Sequence, residues 1–230
     1  MHLLEHTRDF TKSSKPQPSQ VAAFVCPEQQ NPTENVMTAT KPAQTTFTPA
    51  AVPATLQRII LTGFMGAGKT SVGRLLAEQL GWAFLDLDEH LETRANATIP
   101  ELFARDGEAR FRRIESSALA NALSHTHTVI ALGGGAPEQL TNRLLLEQTP
   151  NTHIIFLDAP FPVLFDRCML QSFASPDHIR PLLASPEQAE ARFLTRQPIY
   201  RRLARLTLST ADLTTQQAVD QLLSSLTTEN

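Results

Sequence analysis

The chain has 230 residues, of which 41% are hydrophobic, so it can bury a core and is only modestly longer than one typical domain. Its formal net charge of −3 lacks the basic excess of proteins that bind nucleic acid or membrane surfaces, and no apolar run is long enough to span a bilayer. The two cysteines, Cys26 and Cys168, have neither metal-ligand spacing nor the density of a disulfide scaffold, which suits a reducing compartment. We therefore expect a cytoplasmic protein that acts on a small molecule, without nucleic-acid or membrane partners.

Residues 1–55 differ in composition from the rest of the chain. They hold seven of the 16 prolines, none of the nine glycines and many Thr and Gln residues. This composition predicts a disordered extension. A targeting peptide is an alternative, although no continuous apolar run lies near Met1 and the segment contains four acidic residues. A later translation start at Met37 is a further alternative that the sequence leaves open. Functional residues are expected in the domain 56–230.

A phosphate-binding loop follows the first predicted strand. The apolar run 58–61 precedes residues 63–70, which read Gly-Phe-Met-Gly-Ala-Gly-Lys-Thr and fit the pattern G-x-x-x-x-G-K-[ST]. Apolar residues then recur at helical spacing up to Leu80, and Gly81 supplies a stop. In such a loop the backbone amides converge on nucleotide phosphates, the lysine reaches the β- and γ-phosphates and the hydroxyl ligates Mg²⁺. The pattern therefore predicts ATP or GTP binding by Gly66, Ala67, Gly68, Lys69 and Thr70. Ser71, the next residue along the chain, is also predicted to contact ATP.

Predicted strands and helices alternate through the rest of the chain. Short apolar or alternating runs predict strands at 83–85, 129–132, 153–157 and 205–210. Helices are predicted from near Asp88, from a capping box at Thr98 and Glu101, through 111–122, from Ser185 onward and over 213–226. This alternation predicts a three-layer α/β/α sandwich with a central, mostly parallel sheet.

Two loops that follow predicted strands carry residues suited to chemistry. Asp86 and Asp88 end the second strand, and strand alternation would direct both carboxylates to the same side. One could face a metal while the other accepts the proton of a hydroxyl, as phosphoryl transfer requires. Capping of the next helix is the alternative for either aspartate. Gly133, Gly134 and Gly135 put backbone amides at the carboxyl edge of the sheet, where α/β proteins bind ligands, although a flexible turn is the simpler alternative.

Arg112 and Glu115 share one face of a predicted helix. The ordinary interpretation of this spacing is an ion pair on a solvated surface, worth a few tenths of a kcal/mol. Alternatively, Glu115 orients Arg112 toward an anionic substrate, because a guanidinium can bind a carboxylate through two hydrogen bonds. Spacing alone favours the solvated pair.

Six segments occur in the order and spacing of the shikimate kinase family, which the chain resembles over about residues 56–212. The segments are Gly63–Thr70, Asp86–Asp88, Phe111–Glu115, Gly133–Gly135, Arg180–Leu183 and Arg196–Tyr200. The resemblance implies a P-loop kinase of the nucleoside-monophosphate-kinase-like fold. Such an enzyme transfers the γ-phosphoryl group of ATP to the 3-hydroxyl of shikimate, in the route to chorismate and the aromatic amino acids. ATP and shikimate are then the small-molecule partners, Mg²⁺ is the cofactor, and a monomer is expected by analogy.

On the nucleotide side, the resemblance implies that Lys69 holds the β- and γ-phosphates. Thr70 would ligate Mg²⁺, and Asp86 would reach the metal through water. Arg180 would come from a lid that closes over ATP and would stabilise charge on the transferring phosphoryl group. The lid segment 169–179 departs from the family pattern, because it carries Phe173, Pro176 and Asp177 where relatives often have basic residues. This departure leaves the affinity for ATP open.

On the acceptor side, the resemblance implies that Asp88 holds shikimate hydroxyls and assists deprotonation of the attacking one. Arg112 and Arg196 would bind the carboxylate, and the Gly134 amide would contact a ring hydroxyl. The predicted catalytic residues are thus Asp88, Lys69 and Arg180.

Two rival functions are compatible with the sequence. A gluconate-type sugar-acid kinase shares the fold and the phosphate loop, although the segments 111–115 and 196–200 favour the cyclic substrate. A non-catalytic sensor of nucleotide or shikimate is the other hypothesis. Such sensors tend to lose the lysine, the metal ligand or the base, whereas Lys69, Thr70, Asp88 and Arg180 are all present.

Overall fold

The computed structural model describes residues 52–174 and 185–228. Most of the predicted extension 1–55 lies outside the described residues, and so does Arg180. Of the predicted lid segment, residues 169–174 continue a helix and the remainder is not described. Among the described helices, none is long and apolar enough to cross a membrane.

Five strands form one sheet in the order β2-β3-β1-β4-β5, and every neighbouring pair is parallel. The parallel sheet confirms the predicted architecture, because parallel neighbours need crossover connections and the intervening segments are helical. The strands are β1 (Arg58–Thr62), β2 (Ala83–Asp86), β3 (Thr128–Ala131), β4 (Thr152–Asp158) and β5 (Leu206–Ser209).

Helices cover both faces of this sheet. They are α1 (Lys69–Leu80), α2 (Leu87–Ala95), α3 (Ile99–Ala122), α4 (Leu140–Gln148), α5 (Phe161–Ala174), α6 (Pro186–Leu203) and α7 (Thr215–Thr228), with a short 3₁₀ turn at Ala136–Glu138. The capping box is confirmed: the Thr98 amide donates to Glu101 Oε2 at 2.7 Å, and the Glu101 amide donates to Thr98 Oγ1 at 3.4 Å. The two helices predicted from Thr98 and through 111–122 form one element, interrupted at Gly107, whose φ of 72° and ψ of 168° are not helical.

The central strand β1 divides the core into two layers. Its residues are all buried, and successive side chains point to opposite faces. Ile59 and Leu61 join a cluster that includes buried residues of α1 and α7, whereas Ile60 joins a cluster that includes residues of α2 and α3. The sheet is therefore the middle layer of an α/β/α sandwich.

The carboxyl ends of β2, β3 and β1 bring three loops together. Asp86 and Leu61 both pair with Ala131 of β3, so the three strands end at nearly the same level. The phosphate loop follows β1, the aspartates follow or end β2, and the glycine loop follows β3. Because these strands are adjacent in the sheet, residues far apart in sequence meet at one edge.

Candidate active site

The phosphate loop runs from β1 into the first turn of α1. Gly66 and Gly68 have φ values of 76° and 89°, which residues with a Cβ atom rarely adopt. The Lys69 ammonium donates to the carbonyl oxygens of Gly63 and Phe64, each at 3.0 Å. The lysine therefore folds back over the loop. Ser71, which was also predicted to contact ATP, is exposed in the first turn of α1.

Thr70 and Asp86 place two oxygen groups side by side. The Thr70 hydroxyl donates to Asp86 Oδ2 at 2.8 Å, while Asp86 Oδ1 accepts a 3.1 Å hydrogen bond from the Asp88 amide and caps α2. Asp86 thus caps a helix and also faces the phosphate loop. Mg²⁺ in nucleotide sites is usually held by one or two protein oxygens together with phosphates. The hydroxyl of Thr70 and the carboxylate of Asp86 are oxygen ligands of this kind. Within the described part of the chain, no group of three or more His, Cys, Asp or Glu side chains could hold a metal.

Asp88 reaches the glycine loop from the first turn of α2. β2 ends at Asp86, so the expected strand alternation does not account for the placement of Asp88. A Cβ on Gly133 would overlap Asp88 Oδ1. The absence of a side chain at Gly133 therefore lets this carboxylate pack directly on the loop, a use of the glycines that the sequence did not suggest.

Arg112 and Glu115 form an ion pair in which Glu115 is buried and Arg112 is partly buried. Arg112 Nη1 lies 3.0 Å from Glu115 Oε2, and the side chains are 14% and 4% exposed, respectively. The solvated pair that the spacing alone favoured is therefore wrong. Burial raises the pKa of Glu115 above its ordinary value, although Arg112 acts in the opposite direction. Burial also acts to lower the pKa of Arg112, but Glu115 and Glu138 outweigh it and the pKa rises.

Arg196 of α6 meets Arg112 over the glycine loop. A Cβ on Gly135 would lie 2.9 Å from Arg112 Nη1 and 3.3 Å from Arg196 Nη2. The Arg196 side chain is 9% exposed, and its Nη2 donates to Glu138 Oε2 at 2.9 Å. The same oxygen lies 3.8 Å from Arg112 Nη2. One partly buried and one buried guanidinium group thus converge on one carboxylate oxygen.

Tyr200 and Glu138 are two site residues to which the sequence motifs assign no role. The Tyr200 hydroxyl donates to the Gly134 carbonyl at 2.5 Å, and burial raises the pKa of this tyrosine. Tyr200 lies one helical turn after Arg196, so its membership of the segment 196–200 was a usable signal. Glu138 follows the glycine loop by three residues, but nothing in its local sequence pairs it with arginines on two other helices.

The structure brings most of the predicted residues to one edge of the sheet. The position of a Cβ on Gly134 lies 3.6 Å from Arg196 Nη1 and 3.9 Å from the Gly63 carbonyl of the phosphate loop. Asp88 and Arg196 are both close enough to Glu115 to influence its pKa. The acceptor-side residues and the phosphate loop are therefore neighbours, and Arg180 is the one predicted catalytic residue outside the described part of the chain.

The parallel sheet and the loop between β1 and α1 define a P-loop kinase of the α/β class. A family model described as shikimate kinase matches residues 65–227. A shikimate kinase of Symbiobacterium thermophilum is 39% identical over 171 residues, which are 73% of this chain and 95% of the relative. The chain belongs to the shikimate kinase family.

A solved structure supports the same assignment. Shikimate kinase from Acinetobacter baumannii in complex with shikimate aligns with a TM-score of 0.68 and 35% identity, covering 76% of this chain and 95% of that one. Shikimate kinase from Aquifex aeolicus aligns with a TM-score of 0.62 and 32% identity, covering 74% and 95%. The chain is accordingly a phosphotransferase, and its fold is that of the family.

Proposed function

We propose that this chain transfers the γ-phosphoryl group of ATP to the 3-hydroxyl of shikimate and releases ADP and shikimate 3-phosphate. The observation that carries the proposal is the convergence of Arg112, whose side chain is 14% exposed, and the buried Arg196 beside Asp88 and the phosphate loop. The reaction needs three parts: two arginines to bind the substrate carboxylate, a carboxylate to orient the attacking hydroxyl, and a loop to hold the phosphates of ATP.

The arginine pair would hold the carboxylate of shikimate. Each guanidinium presents several N–H donors in one plane, which matches the two oxygens of a carboxylate. Because both side chains are largely buried, their charges are poorly screened by water, and the attraction for an anion is stronger than on a surface. The Gly134 amide would bind a ring hydroxyl, and Tyr200 supports this role by fixing the Gly134 carbonyl.

Asp88 would orient the attacking hydroxyl. Its carboxylate packs on Gly133, so a substrate held by the arginines would present its ring to this side chain. The 3-hydroxyl would donate its proton toward Asp88 as its oxygen bonds to the γ-phosphorus, and the bond from that phosphorus to the β–γ bridging oxygen would break. Positioning accounts for most of the acceleration in phosphoryl transfer.

Lys69, Thr70 and Asp86 would serve the nucleotide. The Lys69 ammonium would neutralise the β- and γ-phosphates, while Thr70 would ligate Mg²⁺ and Asp86 would contact it through water. When bound, Mg²⁺ supplies charge neutralisation on the phosphate oxygens. Gly66, Ala67, Gly68 and Ser71 would add contacts to ATP, and Arg180 would reach the transferring group from the lid.

We also propose the wider setting of the activity. The catalytic unit would be residues 56–230, acting as a cytoplasmic monomer, and residues 1–55 would be a dispensable extension. The sugar-acid kinase and the non-catalytic sensor are the alternatives that an activity assay must separate.

The test is ADP release from Mg·ATP by the purified full chain, with shikimate, gluconate or no acceptor. Shikimate-dependent release that is lost in Lys69→Ala is the expected result. Lys41→Ala, the same change within 1–55, is the matched control and should leave turnover unchanged. Faster release with gluconate would indicate the sugar-acid kinase, and nucleotide binding without release would indicate the sensor.

A further inference from the structure

Glu138 sits where an anionic substrate would bind. Its Oε2 accepts a 2.9 Å hydrogen bond from Arg196 Nη2 and lies 3.8 Å from Arg112 Nη2. A carboxylate of the protein therefore already contacts the two side chains proposed to bind the carboxylate of shikimate. We propose that Glu138 is an internal competitor for that carboxylate and sets the affinity and selectivity of the acceptor site. This inference rests on the proposed function.

The backbone around Glu138 is fixed, which leaves the side chain as the part that can move. The Glu138 amide donates to the Gly135 carbonyl at 3.0 Å and closes the 3₁₀ turn. Arg143 Nη1 donates to the carbonyls of Pro137 and Glu138 at 2.9 and 2.8 Å. The carboxylate is thus presented to the arginines by a held turn, and a rotation of its own side-chain torsions is enough to withdraw it.

Burial distinguishes Glu138 from the other acidic partner of the pair. The Glu138 side chain is 30% exposed, whereas that of Glu115 is 4% exposed. Glu138 can therefore turn toward water and keep its charge solvated. Glu115 has little access to water, so leaving Arg112 would leave its charge buried without a close partner. When a substrate carboxylate binds, the carboxylate of Glu138 is therefore the one that leaves the arginines.

The balance of charge and hydrogen bonds requires such an exchange. Glu108 also contacts Arg112, but its side chain is 71% exposed and its charge is screened by water. Among the less exposed groups, Arg112 and Arg196 are matched by the carboxylates of Glu115 and Glu138, so a further carboxylate would leave an excess negative charge. Each arginine also has a buried Nε–H that finds no acceptor among the described residues. A substrate carboxylate that replaced Glu138 would bring two oxygens to donors that Glu138 serves with one.

The competition lowers the apparent affinity in proportion to the fraction of molecules in which Glu138 is withdrawn. If Glu138 contacts Arg196 in roughly nine molecules of ten, removing its charge lowers the half-saturating shikimate concentration about tenfold. The turnover number should change little, because Glu138 is displaced before the reaction. A neutral acceptor that does not compete for the guanidinium groups, such as the methyl ester of shikimate, should gain nothing.

The experiment measures KM and kcat for shikimate, and the Kd of shikimate by calorimetry, in the full chain and in Glu138→Gln. A fall in KM and Kd with kcat preserved is the expected result. Glu108→Gln is the matched control, because Glu108 lies 3.4 Å from Arg112 but is 71% exposed. Its KM should change by less than about twofold, since exposed charges are well screened.

Three outcomes overturn the inference. An unchanged KM in Glu138→Gln shows that the carboxylate does not compete, and a raised KM shows that it positions the arginines instead. An equal fall in Glu108→Gln, or an equal gain for the methyl ester, reduces the effect to general electrostatics. Failure of the proposed function looks different: it is an absence of shikimate turnover in the unchanged chain, or an unchanged KM in Arg196→Ala.

Discussion

Arg112→Ala is expected to destabilise the folded chain far more than Arg196→Ala, although each removes one guanidinium and Arg196 is the more buried of the two. The difference arises from the carboxylate left behind. Without Arg112, Glu115 keeps a side chain that is 4% exposed and loses its partner at 3.0 Å, which costs about 3–5 kcal/mol. Without Arg196, the abandoned carboxylate is Glu138, which is 30% exposed and can be solvated, so the electrostatic cost is about 1 kcal/mol. The two variants should therefore differ by about 2–4 kcal/mol.

The destabilisation by Arg112→Ala should grow with pH. Burial raises the pKa of Glu115 in the folded chain, although Arg112 opposes this shift. A group whose pKa is raised by folding binds its proton more tightly in the folded state, so stability is highest below the pKa of the unfolded chain and falls as pH rises through the folded pKa. Removing Arg112 removes the opposing effect and raises the folded pKa further. In Arg112→Ala, stability therefore falls over a range of pH that begins at the ordinary pKa of a glutamate and extends to higher pH than in the unchanged chain.

Urea unfolding at about pH 5 and about pH 8 measures both effects in the unchanged chain, Arg112→Ala, Arg196→Ala and the double variant Arg112→Ala/Glu115→Gln. The double variant should recover most of the lost stability and lose the added pH dependence, because Glu115→Gln removes the buried carboxylate that had lost its partner. Its half-saturating shikimate concentration should stay high, since the substrate carboxylate still lacks one of its two proposed arginine partners. Equal stabilities of the two single variants at about pH 8, or no recovery in the double variant, would refute the reasoning.

Two further predictions concern residues on either side of the glycine loop. Asp88→Asn should lower kcat by about 10²- to 10⁴-fold and leave the unfolding curve nearly unchanged, because it removes the proposed proton acceptor with little change in shape. A kcat within a few-fold of normal would remove Asp88 from proton transfer. Tyr200→Phe should cost about 1 kcal/mol in urea unfolding, because the Gly134 carbonyl loses the hydrogen bond from a buried hydroxyl. Unchanged stability in Tyr200→Phe would show that this hydrogen bond contributes nothing net.

The fold and the phosphate loop were predictable because their signals are local. The motif at 63–70 fixes a strand, a turn and a helix within one short stretch, and the structure has β1 and α1 on either side of it. The alternation of apolar runs with helical patterns gave the layers of the sandwich, and the structure bears them out. Boundaries shifted by a residue or two, as β3 and β5 illustrate, because strand ends depend on pairing with neighbours.

The ion pair of Arg112 and Glu115 marks the limit of such local rules. A spacing of three residues places two side chains on one helical face but does not say what covers that face. The cover comes from the turn after β3 and from α6, both far away in the sequence. The same pair would be worth little on a solvated helix and is expensive to break in a buried one. Family resemblance supplied the functional interpretation that spacing alone did not favour.

Neither local spacing nor family resemblance indicated Glu138, and the reason is physical. A motif indicates groups that attract a ligand, whereas a competitor for the ligand is defined only by its distance to those groups. Arg196 is 58 residues away from Glu138 in sequence, and the two meet because a parallel crossover returns α6 to the edge where β3 ends. The affinity of the acceptor site then depends on a balance between two carboxylates, one in the chain and one in the substrate. A residue such as Glu138 is therefore recognised only from its tertiary contacts with the arginines.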